Sequence, residues 1–258
     1  VIMEKKDIVI IGYPKSGNTW ATRLVAELVG CPVAGFWDSE HQEIAVEGTD
    51  RESDFRCFKS HHQLSELNEI KATADKMIYI IRDPRDICVS GAHYFNHVSL
   101  IPSKSRNIAI RAVNKLHWEV LGKREMIQEM VQALLVGNER IHHWCRVSWK
   151  AHVTPFLNRE DVLVINYATL RNSPMEQSKR ILEFLDVSKP ESEIERAIDT
   201  HDFEKSQKRF AASGDRAKKQ FLRKGGSGEW RHVLTEDQQL WFENEIGELL
   251  GKLGFNLS

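Results

Sequence analysis

The chain has 258 residues, with 36 Lys and Arg against 37 Asp and Glu, a formal charge of -1; 41% of residues are hydrophobic and 28% charged. That balance excludes a bulk electrostatic hold on nucleic acid or on an anionic membrane, though not a local basic pocket. A mean hydropathy of -0.43 argues against a membrane-spanning helix, which needs ~20 apolar residues, since the longest apolar stretches are short, such as Ile8-Val9-Ile10-Ile11 and Met77-Ile78-Tyr79-Ile80-Ile81. Cys31, Cys57, Cys88 and Cys145 form no CxxC pair, so they read as buried free thiols in a reducing, cytoplasmic setting rather than as zinc ligands or a disulfide framework.

No signal-peptide pattern is visible, because Glu4-Lys5-Lys6-Asp7 interrupts the start; residues 1–6 are expected to be a disordered start or a trimmed remnant. Strands are expected at 7–12, 55–59, 77–81 and 162–166. Three of these are continuous apolar runs, the pattern of strands covered on both faces in a parallel sheet. Helical spacing is expected at 19–29, ending at Gly30, at 84–94 directly after the third strand, at 173–185 and at 235–250. The stretch from 98 to 150 is mostly helical by pattern, and Trp118, Trp144 and Trp149 are expected in the core. Strands alternating with helices give an α/β fold, a mainly parallel central sheet flanked by helices. Without repeats or an evident linker, a single domain spanning 1–258 is expected.

The segment Gly12-Tyr13-Pro14-Lys15-Ser16-Gly17-Asn18-Thr19 joins the first strand to the first helix. Its frame, G-x-x-x-x-G-x-T, has the spacing of a phosphate-binding loop, whose backbone N–H groups surround an anion at a helix N-terminus. A nucleotidase of this kind carries Lys directly after the second glycine, where it reaches the β and γ phosphates. Here that position is Asn18, and the lysine has moved to Lys15.

Tyr13-Pro14-Lys15-Ser16-Gly17-Asn18-Thr19-Trp20 resembles the 5′-phosphosulfate loop of sulfotransferases that use 3′-phosphoadenosine 5′-phosphosulfate (PAPS), whose cytosolic branch reads Tyr-Pro-Lys-Ser-Gly-Thr-Thr-Trp. The resemblance implies that Lys15, Ser16, Gly17, Asn18 and Thr19 hold the 5′-phosphosulfate and that Trp20 lines the adenine site. Asn18 departs from the family's Thr, but its amide still donates hydrogen bonds.

Arg82, in Ile81-Arg82-Asp83-Pro84-Arg85-Asp86-Ile87-Cys88-Val89-Ser90, follows the third strand at the carboxyl edge of the sheet, where ligands of open α/β folds gather. Taken alone, it fits equally an ion pair with Asp83 or Asp86. The resemblance makes Arg82 and Ser90 the 3′-phosphate ligands. Downstream, Arg223-Lys224-Gly225-Gly226-Ser227-Gly228-Glu229-Trp230 is a basic pair before a glycine-rich loop, an anion nest by composition. It resembles the family's Arg-Lys-Gly-x-x-Gly-Asp-Trp motif, which implies that Arg223, Lys224 and Gly225 are cofactor ligands. Tyr167, and more weakly Phe203, match the family's other adenine contacts.

Phe58-Lys59-Ser60-His61-His62 follows the second expected strand. It resembles the family's Lys-Thr-His segment, which implies that His61 is the catalytic base and that Lys59, with Lys15, stabilises the transition state. His62, on the other side of an extended segment, faces elsewhere. The implied reaction is in-line transfer of a sulfuryl group from PAPS to a hydroxyl, or less readily an amine, on a small-molecule, lipid or carbohydrate acceptor. Adenosine 3′,5′-bisphosphate (PAP) leaves, and no metal is required. The family's dimer motif would start at Arg231, but Leu240 stands where Glu is expected, so the resemblance does not extend to that dimer. Three alternatives remain: a P-loop kinase of a small molecule, a non-catalytic nucleotide-binding module, and a catalytic fragment of a membrane-anchored, carbohydrate-directed sulfotransferase.

Overall fold

The computed structural model describes residues 5–38, 43–70, 74–95, 122–202 and 226–255. Among them five strands form one sheet: β1 (Lys6–Ile11), β2 (Val33–Phe36), β3 (Phe55–Ser60), β4 (Lys76–Ile81) and β5 (Val162–Asn166). Their order is β2-β3-β1-β4-β5 and every pairing is parallel. The α/β expectation of a parallel sheet flanked by helices is met. Strand β2 is absent from the sequence reading: it has four residues, includes Gly35 at φ 113, and shifts register against β3.

Two compact units divide the chain: Val1–Arg82 with His152–Gly225, and Asp83–Ala151 with Gly226–Ser258. The first contains the sheet. Ile8 and Ile10 of β1, Ile78 and Ile80 of β4 and Ile165 of β5 pack against Leu24, Val25 and Leu28 of α1 (Asn18–Val29). Ile181 and Leu182 of the helix Pro174–Phe184 and Ile194 of the helix Glu191–Thr200 complete that layer. Each such aliphatic side chain contributes about 1.5–3 kcal/mol by leaving water. On the other face, Tyr79 stacks on Phe156 with ring centroids 4.6 Å apart. Both faces of β1 are thus covered, which is why it reads as an unbroken apolar run. Helix α1 stops at Gly30, whose left-handed φ of 78 lets its N–H return to the carbonyls of Ala26 and Glu27.

In the second unit, α3 (Pro84–Tyr94) starts with proline in its first turn, and the Asp83 side chain caps it by accepting from the Arg85 N–H. α2 (Leu64–Glu69) belongs to the first unit and opens with a capping box from Gln63 and Glu66. Gly91 lets α3 approach the helix Lys123–Leu135, since a Cβ there would meet Met130 Cε at 2.4 Å. The Arg85 guanidinium lies 3.7 Å from the Trp230 ring centroid, and the Gly228 N–H donates to the Asp86 carboxylate at 2.9 Å. Trp144 and Trp149 are buried, as expected of core residues; Trp118 lies outside the described residues. All four cysteines are buried, and none is in a disulfide among the described residues. No helix among the described residues is long and apolar enough to cross a membrane.

Candidate active site

The strand order decides where the site lies. The chain runs from β1 to β2 on the β3 side and then crosses from β3 to β4 on the other side of β1. The strand order therefore reverses beside β1, the place where ligands of open α/β sheets bind at the carboxyl ends of the strands. Gly12 follows β1, His61 follows β3, Arg82 follows β4 and Tyr167 follows β5. Four segments far apart in the chain therefore share one edge of one sheet.

The loop after β1 turns tightly, the Ser16 N–H donating to the Tyr13 carbonyl at 3.1 Å. Lys15 and Gly17 are both left-handed, with φ of 69 and 98. At Gly17 a side chain is excluded, because a Cβ would lie 2.5 Å from the Tyr167 ring. Helix α1 begins directly afterwards, with no side-chain cap and no acidic residue in its first turn. Its first N–H groups and its partial positive charge are aimed at the loop. Ser16 Oγ is buried without a hydrogen-bond partner. An uncapped helix start beside an unsatisfied buried hydroxyl fits a phosphate or sulfate oxygen.

Trp20, Tyr167 and Arg82 come together around this loop. Trp20 and Tyr167 meet edge to face with centroids 5.8 Å apart. The Trp20 Nε1–H donates to the His201 carbonyl at 2.8 Å. Asn166 caps the helix Tyr167–Asn172 and so sets Tyr167 at the end of β5. The Arg82 guanidinium lies 4.6 Å from the Tyr167 ring centroid, and its Nη1 donates to the Lys15 carbonyl at 2.9 Å. Arg82 thus tethers the end of β4 to the loop after β1; within the second unit Asp83 pairs with Arg85 at 2.7 Å.

His61 is buried at 5% exposure. Its Nδ1 lies 2.6 Å from the Gly12 carbonyl oxygen, which only accepts, so Nδ1 carries the proton and Nε2 is the basic nitrogen. Nε2 faces Glu43, with 3.4 Å to Oε2, and the same oxygen accepts from Lys59 Nζ at 3.0 Å. Burial first, and then the charge of Lys59, lower the His61 pKa to about 4; Glu43 and the Gly12 contact pull the other way. Burial also lowers Lys59, against the pull of Glu43. For Lys15, burial together with the positive charges of Lys59 and Arg82 brings the pKa down to about 7. Cations that depress one another's protonation are the electrostatic mark of a site built for an anion. His62 Nδ1 lies 3.0 Å from Ser60 Oγ.

The Glu43 carboxylate is absent from the sequence reading. It lies in a connection with no motif, and only the fold brings it to Lys59 and His61. Ser90 is half-buried on α3 in the second unit. Phe203, Arg223, Lys224 and Gly225 lie outside the described residues. Among the described residues no group of His, Cys, Asp and Glu has the arrangement of a metal site. His152, one of the histidines without a role in the sequence reading, is buried between Tyr79, whose hydroxyl is 2.8 Å from Nδ1, and the His61 carbonyl, 3.0 Å from Nε2.

A parallel sheet with a phosphate-type loop at its switch point defines a P-loop-like α/β protein. The sulfotransferase domain model matches residues 5–254, and the chain belongs to the sulfotransferase family. It is 24% identical to Sulfotransferase 1A1 of Bos taurus over 263 residues, covering 92% of this chain and 81% of that protein. It is 26% identical to 3-beta-hydroxysteroid sulfotransferase of Cavia porcellus over 262 residues, covering 94% and 83%. Among solved structures, mouse sulfotransferase SULT7A1 complexed with PAP superposes with a TM-score of 0.66 at 21% identity, over 95% of this chain and 84% of that one. Retinol dehydratase in complex with androsterone and PAP gives 0.60 at 22% identity, over 96% and 82%.

Proposed function

We propose that the protein transfers a sulfuryl group from PAPS to a hydroxyl group, an amine being the second choice, on a small-molecule acceptor. The observation that carries this is the position of His61: its imidazole is held by the carbonyl of Gly12, the first residue of the phosphate loop itself. A base whose Nε2 lies beside the Lys59–Glu43 ion pair and next to an anion cradle suits proton removal from an attacking acceptor. The name of the guinea-pig relative, a hydroxysteroid enzyme, supports a hydroxyl acceptor; the PAP held by the mouse structure supports the nucleotide.

When bound, PAPS supplies a sulfuryl group on a phosphate leaving group. Lys15, Ser16, Gly17, Thr19 and the loop amides, Asn18's included, hold the 5′-phosphosulfate end. Trp20 and Tyr167 wall the adenine, with Phe203. Arg82, Ser90, Arg223, Lys224 and Gly225 hold the 3′-phosphate. His61 Nε2 takes the acceptor's proton as the acceptor oxygen bonds to sulfur and the bridging S–O bond breaks. Lys15 and Lys59 meet the charge that develops on the sulfuryl and leaving phosphate oxygens.

The kinase alternative needs a cation directly after the second glycine. Asn18 stands there, and its amide donates to two carbonyls of the protein. A transfer assay with labelled PAPS across alcohols, phenols, sugars and amines tests the proposal. Labelled product from one of these classes supports it; none from any, together with thermal stabilisation by ATP but not by PAP, would refute it.

A further inference from the structure

Asn18 is where the loop departs from its family's wording, and its geometry gives it a different task from the phosphate contact expected of it. Its carboxamide nitrogen has two hydrogens. One bonds to the Gly12 carbonyl at 2.9 Å and the other to the Ser60 carbonyl at 3.0 Å. The reversed amide would set an oxygen against two carbonyl oxygens, so the network fixes the orientation. Both side-chain donors are thereby used within the protein, and the side chain has none to offer a phosphate. Its Oδ1 is buried with no hydrogen-bond partner, so the nitrogen is the end that acts.

The two carbonyls mark what the amide joins. Gly12 follows β1, and Ser60 ends β3, the strand paired with it, where Ile11 sits opposite Ser60. Asn18 adds a side-chain rung just past the last backbone one. His61 is the residue after Ser60, and its Nδ1 returns to the same Gly12 oxygen at 2.6 Å, 3.3 Å from the Asn18 nitrogen. Asn18 and His61 thus share one acceptor, and the amide fixes both the oxygen that sets the imidazole's tautomer and the backbone that carries the ring. We propose that Asn18 is a positioning residue for the base His61 and that its side chain is not a phosphate ligand. This rests on the reading of His61 as the base.

Asn18→Ala removes the rung, and Asn18→Asp replaces a donor with a carboxylate beside Nδ1. The other groups facing the His61 side chain are Lys59, Glu43 and the Phe36 ring, with His152 on its carbonyl; neither substitution replaces any of them. Asn18→Ala is expected to lower kcat by about tenfold or more while calorimetry gives a PAP Kd within about threefold of the parent. In Asn18→Asp, the NMR titration of the His61 imidazole, assigned by its loss in His61→Gln, should move up by about one pH unit. A PAP Kd that rises about tenfold with kcat unchanged would make the side chain a phosphate ligand and overturn the proposal. So would a fall in kcat with the titration unmoved, which is what a merely structural role predicts. If the parent transfers no sulfuryl group at all, the reading of the reaction fails, and the titration still decides whether Asn18 governs His61; should Asn18→Asp not fold, Asn18→Ser, with one donor, must give a kcat between those of Ala and the parent.

Discussion

Raising the pH from 7 to 9 should remove the proton from Lys15 and, with it, much of the affinity for PAP. The lysine has a pKa of about 7, lowered chiefly by burial and then by Lys59 and Arg82. Below that pH the ammonium is present in the free protein; above it, anion binding must first take a proton from solvent. If the complex requires the charged form, the apparent Kd scales as one plus ten to the power of pH minus pKa. That factor is about 2 at pH 7 and about 100 at pH 9, a roughly 50-fold weakening, or about 2.3 kcal/mol. A lysine at its ordinary value would change affinity by only a few per cent over this range, roughly 1.03-fold. PAP's phosphates are already ionised there, having a second pKa of about 6, so the ligand adds little slope. Calorimetry at pH 7, 8 and 9, in two buffers of different ionisation enthalpy, reads both the affinity and the proton taken up. Uptake near ~0.9 proton is expected at pH 8. Lys15→Arg, charged throughout, should remove most of the slope. A Kd constant within about threefold from pH 7 to 9, with no proton uptake, would refute the electrostatic account of the loop.

Other consequences can be measured independently. Gly17→Ala places a methyl 2.5 Å from the Tyr167 ring at a φ of 98; left-handed strain and overlap together cost about 2–4 kcal/mol and should lower Tm by roughly 5–15 °C in thermal unfolding. A Tm within about 2 °C of the parent would contradict the packing of Tyr167 on the loop. Arg82→Ala should weaken PAP by about tenfold more than it weakens AMP, since the residue is proposed for the 3′-phosphate while its hold on the Lys15 carbonyl serves both nucleotides; equal losses for both nucleotides would reject that assignment. Glu43→Gln removes the carboxylate that holds the proton on Lys59 and helps to hold it on Lys15. The alkaline limb of kcat/KM should therefore move to lower pH, and an unmoved limb would show that Glu43 does not act on the lysines during turnover.

Some of this molecule is written locally. The run Ile8-Val9-Ile10-Ile11 followed by a glycine-bounded loop and a helix ending at Gly30 needs only neighbouring residues to be read, and β1, the loop and α1 appear within a residue of expectation. Strand β5 and α3 match theirs because apolar runs, Asn166 and Pro84 mark their ends. Strand β2 escaped because four residues with a glycine carry no period. Glu43 escaped because a carboxylate in a connection has no spacing to betray it.

The residue types of a phosphate loop, a basic nitrogen and its lysines were thus determined by the chain in order, since short-range spacing sets backbone conformation. Which atoms of those residues are available was decided only by the tertiary structure. Parallel pairing of β1 with β3 brings Gly12, Asn18 and His61 together across more than forty positions of sequence. That pairing uses both amide hydrogens of Asn18, puts the His61 proton on Nδ1 and turns Nε2 toward Glu43. Hydrogen-bond donors are finite, and their allocation depends on which carbonyls the sheet sets beside them.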